Sequence, residues 1–231
     1  MADLAAHSRL HDAHAAEVAH QFEDPEQQRE ADSLGMWTFL VTEIMFFGAL
    51  FAAYVIYRSL YPAAFEAGSH LLEVKFGATN TAVLIGSSLT MVLAIYAAQT
   101  GKSKSTIITF LVLTMLLGAA FIGIKLHFEW FHDYAEGLVP GINFNLAKYG
   151  SGVELFMVFY FFMTGLHALH MVIGLGILTV LVVMTARGRF SPQYYAPLDI
   201  SGLYWHFVDI IWIFLFPLLY LIGGRYTHGG H

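Results

Sequence analysis

The sequence predicts an all-α, polytopic membrane protein whose five transmembrane helices form a bundle. The first observation is composition, because 57% of the 231 residues are hydrophobic, 12% are charged and the mean hydropathy is +0.61. Soluble domains contain about 25% charged residues. The second observation is a series of five apolar segments, each close to the roughly 20 residues that a helix needs to cross a bilayer. These segments run over 34–58, 77–99, 105–127, 153–185 and 202–224.

The apolar segments divide the chain into a polar N-terminal tail (1–33), a transmembrane domain (34–224) and a short C-terminal tail (225–231). The N-terminal tail contains acidic residues and histidines and no apolar core, so we expect no cleavable signal peptide. Four of its histidines invite a metal hypothesis, but we favour a solvated, partly helical tail. They are His7, His11 and His14, which fall on one helical face, and His20.

The composition also argues against several classes of function. The chain has no cysteine, so disulfides and thiolate metal sites are excluded. The net charge of −6 comes largely from the N-terminal tail, and no basic patch indicates a nucleic-acid partner. No glycine-rich phosphate loop, nucleophile triad or hydrolase carboxylate pair stands out. The sequence therefore predicts no catalytic, cofactor-binding or metal-ligating residue in this chain.

Basic residues in the loops predict the orientation of the chain, because cytoplasmic loops carry an excess of Lys and Arg. Six basic residues lie on the N-terminal side of the membrane and five on the other side. Four of the six lie in two compact loops, as Lys102, Lys104, Arg187 and Arg189. We therefore expect a cytoplasmic N-terminus. Arg187 and Arg189 are also candidates for binding lipid headgroups.

Two carboxylic acids lie deep inside predicted transmembrane segments. At 1.5 Å per residue, Glu43 lies roughly 13 Å deep in the first segment and Asp209 roughly 10 Å deep in the last. An aspartate at the centre of such a helix costs roughly 2.5 to 3.5 kcal/mol, so it needs a partner or a purpose. The acids either form a proton-linked or regulatory site, or fix helix packing as protonated or hydrogen-bonded groups.

Three histidines also lie away from the ends of apolar segments. His167 and His170 share one face of the fourth segment, and His206 lies beside Trp205 and Asp209 in the last. A haem b ligated between helices needs two imidazoles at matched depth. His206 is close to the membrane surface, whereas the other two lie nearer the middle. Packing through hydrogen bonds is therefore favoured, and a haem b anchor is the alternative.

Lys125 and Glu129 lie four residues apart near the end of the third segment, a spacing at which a helix brings two side chains together. His127, Trp130 and His132 follow the same stretch. We predict an ion pair in a cluster at the membrane interface, where the lysine snorkels towards water. Substrate binding is the alternative.

Five motifs, in this order along about 34–224, resemble subunit III of the haem-copper terminal oxidases in its five-helix bacterial form. They are the Phe-x-x-x-Glu-x-x-Phe-Phe setting of Glu43, Asn80-Thr81, the run 121–130, Gly-x-His-x-x-His at 165–170, and the segment 205–212. Any one of these motifs alone is unspecific, whereas five in order are specific. The mitochondrial form has seven helices, so lipid contacts made by its two extra helices do not transfer to this chain.

The resemblance implies a non-redox accessory subunit of a respiratory complex that reduces dioxygen to water and pumps protons. It implies haems and copper in partner chains, direct packing against the catalytic subunit I, and a copper-binding subunit II in the same complex. It also implies structural phospholipids in a cleft between the helices. Glu43, Trp205, His206 and Asp209 match the family's motif positions, and the basic pair 187/189 matches loosely.

We expect a cytochrome c oxidase of a bacterial cytoplasmic (inner) membrane. Within the family that the motifs resemble, the setting of Glu43 favours the oxidases that use cytochrome c. The alternatives are subunit III of a quinol oxidase or of a nitric oxide reductase assembly, and, in other classes, a haem b anchor or a proton-linked transporter. The candidates for lipid, proton-linked or subunit-packing roles are Glu43, His167, His170, Arg187, Arg189, Trp205, His206 and Asp209.

Overall fold

The computed structural model describes residues 25–191 and 194–222, and these residues contain eight α-helices, one π-helical segment and no β-strand. The predicted all-α class is therefore confirmed. The histidines at positions 7, 11, 14 and 20 and the C-terminal tail 225–231 lie outside the described residues.

Five helical spans are long and apolar enough to cross a membrane, as predicted. The helices that form them are α1 (Pro25–Leu60), α3 (Val74–Gln99), α4 (Lys104–Ile124), α7 (Ser151–Ala186) and α8 (Ala196–Tyr220). The third span does not end with α4, because a π-helical segment (Lys125–Trp130) and α5 (Phe131–Ala135) continue it to Ala135. Two shorter helices, α2 (Pro62–His70) and α6 (Leu146–Tyr149), lie in the longer connections.

Besides the longer third span, the observed helices differ from the predicted segments mainly at the first and last spans. Helix α1 begins at Pro25, in the polar stretch before 34, and an acidic residue in its first turn complements the helix dipole. Helix α8 runs over Ala196–Tyr220, whereas the predicted segment was 202–224. Its first turn contains Pro197, which a first turn tolerates because the first N–H groups have no partner inside the helix.

The chain divides into two compact units between Ile44 and Met45. The described part of the first unit is residues 25–44 of α1. The hydroxyl groups of Thr38 and Thr42 donate to the carbonyl oxygens of Leu34 and Phe39, at 2.8 and 2.7 Å. These bonds satisfy both hydroxyls inside the helix, while Trp37 is 54% exposed. This stretch therefore presents apolar side chains to its surroundings without unpaired threonine hydroxyls.

The second unit, from Met45 onwards, is organised by four long helices. Helix α3 contacts α4 and α8, α4 also contacts α7, and α7 also contacts α8. Helix α2 covers α7. The part of α1 that follows Met45 brings Tyr54 against α8, where the Tyr54 hydroxyl donates to the carbonyl oxygen of Leu218 at 2.7 Å. The turn between α3 and α4 requires Gly101, whose φ is +65°. These contacts place α8 where it touches both α3 and α7.

Candidate functional site

The family-like segment of α8 is the motif at 205–212, and its first residue, Trp205, is 1% exposed. Its ring lies against Gly118 of α4 and Gly174 of α7. A methyl group added to either glycine would lie 2.7 or 2.9 Å from the nearest ring carbon. The indole N–H donates to Ser87 Oγ of α3 at 3.1 Å. One side chain of α8 therefore contacts three other helices.

Trp212, two turns further along α8, repeats this arrangement with aromatic partners. Its ring centroid lies 4.7 Å from that of Phe121 in an edge-to-face contact and 5.2 Å from that of His167. Its indole N–H donates to Thr81 Oγ1 at 3.1 Å. Edge-to-face aromatic pairs contribute about 0.5–1.5 kcal/mol beyond their buried area. Both tryptophans of the 205–212 segment therefore fix α8 within this chain.

The two histidines of α7 lie in different surroundings. His167 is 1% exposed, lies between Phe121 and Trp212, and has no hydrogen bond from either ring nitrogen to a residue that the structure describes. His170 Nδ1 lies 2.8 Å from the carbonyl oxygen of Leu166, which can only accept, so Nδ1 is the donor. The Tyr204 hydroxyl donates to the His170 carbonyl oxygen at 3.0 Å. His170 therefore contributes to the contact between α7 and α8.

His206 and Asp209 also lie on α8. His206 Nδ1 lies 2.6 Å from Ser88 Oγ of α3, so this side chain joins the α3–α8 contact. Asp209 is 4% exposed, and neither carboxyl oxygen has hydrogen-bond geometry to any described residue. A buried carboxyl group without a partner is costly. A role of Asp209 in helix packing or in proton chemistry therefore stays a prediction.

The other predicted candidates lie elsewhere. Glu43 is partly buried and belongs to the first unit, whereas Asp209 belongs to the second, so a pairing of the two acids stays a prediction. Arg187 and Arg189 are exposed where α7 ends, and the turn between them places Gly188 at φ +73°. Their proposed contact with lipid headgroups also stays a prediction.

A buried ionic cluster lies at the π-helical segment. Lys125 is 2% exposed and Glu129 is 4% exposed, and Lys125 Nζ lies 2.5 Å from Glu129 Oε2. The predicted ion pair is confirmed. The prediction that the lysine snorkels at the interface is wrong, because two tyrosines provide polar partners inside the protein. Tyr160 of α7 and Tyr220 at the end of α8 both contact the pair.

The tyrosines complete the hydrogen bonding of this pair. Lys125 Nζ donates to the hydroxyl of Tyr160 at 3.0 Å and to that of Tyr220, and both hydroxyls donate to Glu129 Oε2, Tyr160 at 3.0 Å. A tyrosine in an apolar helix needs a partner for its hydroxyl, which is a signal that the sequence contains. The signal could not identify the partner, because the two tyrosines are far from Lys125 in sequence.

Among residues 25–191 and 194–222, no group of three or more His, Asp and Glu side chains is placed to hold a metal ion. Several buried polar side chains instead form hydrogen bonds between helices, joining α3 to α4 and α8 and the π-helical segment to α7. The fold and these contacts define a polytopic helical membrane protein in which several buried polar side chains bond one helix to another.

Comparison with known proteins identifies the family. The family model described as cytochrome c oxidase subunit III matches residues 3–224. A cytochrome bo(3) ubiquinol oxidase subunit 3 of Pseudomonas aeruginosa is 31% identical over 223 residues, which cover 96% of this chain and 99% of the relative. A quinol oxidase subunit 3 of Bacillus subtilis is 32% identical over 190 residues, covering 82% of this chain and 86% of the relative.

The chain therefore belongs to the cytochrome c oxidase subunit III family and is a subunit III of a haem-copper oxidase, an oxidoreductase complex of respiratory electron transport. The resemblance that the five motifs indicated is confirmed. Because the relatives above are quinol oxidase subunits by name, the expected use of cytochrome c stays a prediction.

Proposed function

We propose that this chain is the non-redox accessory subunit of its oxidase and packs directly against the catalytic subunit. The observation that carries this proposal is the use of the family-like segment of α8. Trp205 and Trp212 are fully buried and donate their indole protons to Ser87 and Thr81 of α3. Residues used in this way build a scaffold, so the chemistry belongs to partner chains that carry the haems and copper.

We further propose that the complex lies in a bacterial cytoplasmic membrane, that the N-terminus of this chain is cytoplasmic, and that phospholipid fills a cleft between its helices. Many apolar side chains of α1 are exposed, including Trp37, Ile44 and Met45. Such surfaces fit acyl chains or an apolar partner helix. Arg187 and Arg189, exposed beyond the end of α7, are placed to bind the headgroups of anionic lipids.

Quinol is the electron donor that the comparisons favour, because the relatives from Pseudomonas aeruginosa and Bacillus subtilis are named as quinol oxidase subunits. Cytochrome c is the second candidate, supported by the setting of Glu43. The donor binds elsewhere in either case, so the assignment of this chain as the accessory subunit does not depend on the choice.

The test is purification of the intact complex through a tag on this chain, followed by oxygen-consumption measurements with a quinol and with reduced cytochrome c. We expect a haem-bearing partner to co-purify and one of the two donors to support oxygen reduction. The same complex prepared without this chain should keep its initial rate and lose activity sooner during turnover.

Three results would overturn the proposal. Stoichiometric haem in the optical spectrum of this chain purified alone would make it a haem anchor. Substrate-dependent flux through liposomes that contain this chain without partners would make it a transporter. An immediate loss of oxygen reduction when the chain is removed would show that it takes part in the reaction itself.

A further inference from the structure

A small cleft opens beside the π-helical segment, next to the buried ionic cluster. Its cavity volume is about 10 Å³, which is room for about one water molecule. Its wall includes Glu129, Asp133 and Tyr160, and its rim includes the exposed residues Glu73 and His132. The cleft therefore connects a buried group of polar side chains to the surface of the protein.

The hydrogen bonds inside the cluster use only one of the two carboxyl oxygens of Glu129. Lys125 has three N–H donors, and all three are used, by Glu129 Oε2 and the two tyrosine hydroxyls. Glu129 Oε2 in turn accepts from Lys125 Nζ and from both tyrosine hydroxyls. Every hydrogen bond to Glu129 therefore goes to one oxygen, and the lysine has no donor left for another acceptor.

Two carboxyl oxygens at the cleft have no partner. Glu129 Oε1 and Asp133 Oδ2 are buried, and neither has a hydrogen bond to any residue in the described part of the chain. The side chains are 4% and 3% exposed. They lie four residues apart on the same face, and both line the cleft. A water molecule at this place would find the two polar partners that a buried water requires as a minimum.

The charges of the cluster point to an additional proton. Lys125 supplies one positive charge, and Glu129 and Asp133 supply two negative charges if both are ionised. A second buried negative charge beside the first is unfavourable, and two carboxyl groups that share a site commonly hold one proton between them. The titratable groups that face this place from all surrounding elements are Lys125, Glu129, His132, Asp133, Tyr160, Tyr220 and, at the rim, Glu73.

We propose that the cleft holds one water molecule between Glu129 Oε1 and Asp133 Oδ2, and that the two carboxyl groups share one proton through this water. The proton count then balances the buried charges, because one ammonium group faces one net carboxylate. Water and proton enter past Glu73 and His132. This site does not depend on the identity of the electron donor or on the accessory role proposed above.

The experiment is infrared difference spectroscopy of the purified complex in H2O and D2O, without turnover. We expect the native protein to show the C=O stretching band of a protonated carboxyl group that shifts on deuteration and on 13C labelling of carboxyl groups. Asp133→Asn should remove the band. Glu129→Gln should remove it too, because Lys125 and Asp133 would then balance each other without an additional proton.

The matched control is Glu136→Gln, since Glu136 is an exposed acid three residues beyond Asp133 and should leave the band unchanged. Loss of the band in Asp133→Asn with full retention in Glu129→Gln would overturn the sharing of a proton. Removal of the band by sodium ions, with no effect of a bulky organic cation, would show that the cleft binds a small cation instead of a proton.

A second measurement needs no variant. A density map of the native complex at a resolution that shows ordered waters should contain one water between the two orphaned oxygens. A dry cleft in such a map, or a direct contact between the two carboxyl groups, would overturn the proposal even if the variants fail to fold.

Discussion

Single glycines determine how closely α7 and α8 approach each other. At Gly174 an added methyl group would lie 2.9 Å from the Trp205 ring, whereas at Gly176, two residues further along α7, it would meet nothing within 4 Å. Alanine is better than glycine inside a helix by about 1 kcal/mol. Glycine-to-alanine substitution should therefore lower the stability of the protein at one of these positions and not at the other.

We predict that Gly174→Ala lowers the thermal stability of the purified protein and that Gly176→Ala leaves it unchanged or raises it. The expected cost at Gly174 is about 1–3 kcal/mol, because overpacking forces the ring out of place. Tryptophan fluorescence during heating measures the unfolding temperature of both variants. Equal stability of the two would mean that the Trp205 ring moves aside without cost.

At Lys125 the prediction concerns a buried charge. Lys125→Met leaves the carboxyl groups of Glu129 and Asp133 without their cation, and breaking a buried ion pair costs about 3–5 kcal/mol. Lys148→Met removes an exposed lysine and should change stability by less than about 1 kcal/mol. Thermal unfolding of both variants in the same detergent tests this difference. Similar unfolding temperatures would show that the tyrosines alone hold the cluster together.

At the scale of helices, most of the architecture was predictable because apolar length is a strong signal. The start of α8 at Ala196 was predicted too late, since the residues before 202 are less apolar and only Pro197 marks the first turn. The sequence predicts that the ionic cluster lies at the membrane interface, because it does not show that Lys125 has partners on distant helices. The two tyrosines that complete its hydrogen bonding, Tyr160 and Tyr220, come from α7 and α8, and no local pattern around Lys125 contains them.

The candidate residues on α8 show the same limit. At helical spacing Trp205, Asp209 and Trp212 lie on one stripe of α8, and all three are buried. Periodicity could not reveal that Gly118 and Gly174 accommodate the Trp205 ring, because these glycines lie on two other helices. The sequence thus predicts which face of a helix is buried, while the partner of each side chain depends on tertiary packing.

Helix α1 carries the prediction for Glu43. If this acid supports the lipid environment or proton uptake and takes no part in the reaction, Glu43→Gln should leave assembly and the initial rate of oxygen reduction intact. Activity should then decline faster over many turnovers, or lipid occupancy should change. Oxygen consumption followed to inactivation, with lipid analysis of the purified complex, measures both. An immediate loss of oxygen reduction would contradict the accessory assignment.

At the scale of the whole molecule, the burial of Lys125 changes the count of charges on which the predicted orientation depends. Lys125 was counted among five basic residues on the side opposite the N-terminus, yet it is 2% exposed and paired with Glu129. A neutralised, buried lysine is not a loop charge, so the comparison becomes six against four. Charges in short loops set the topology, and the bias towards a cytoplasmic N-terminus increases.

The absence of cysteine from the sequence makes this orientation easy to test. We predict that Lys102→Cys reacts with a membrane-impermeant thiol reagent only from the cytoplasmic side, and Lys148→Cys only from the opposite side. Both lysines are exposed, so reactivity reports the side of the membrane and not burial. Labelling of intact cells tests the outer side of the membrane, and labelling of inverted vesicles tests the cytoplasmic side. The reverse pattern would place the N-terminus outside.

The π-helical segment has a consequence for how this chain is compared with its relatives. A π-turn bonds residue i to i+5, one residue more than an α-turn, and such turns occur mostly as single bulges inside α-helices. The residues after Trp130 are therefore rotated by about 100° relative to an uninterrupted α4. A relative with a regular α-helix here would need one residue fewer. A one-residue gap inside this transmembrane span of a sequence alignment would then be genuine. An alignment that moved the gap into a neighbouring loop would pair Asp133 with the wrong residue of the relative.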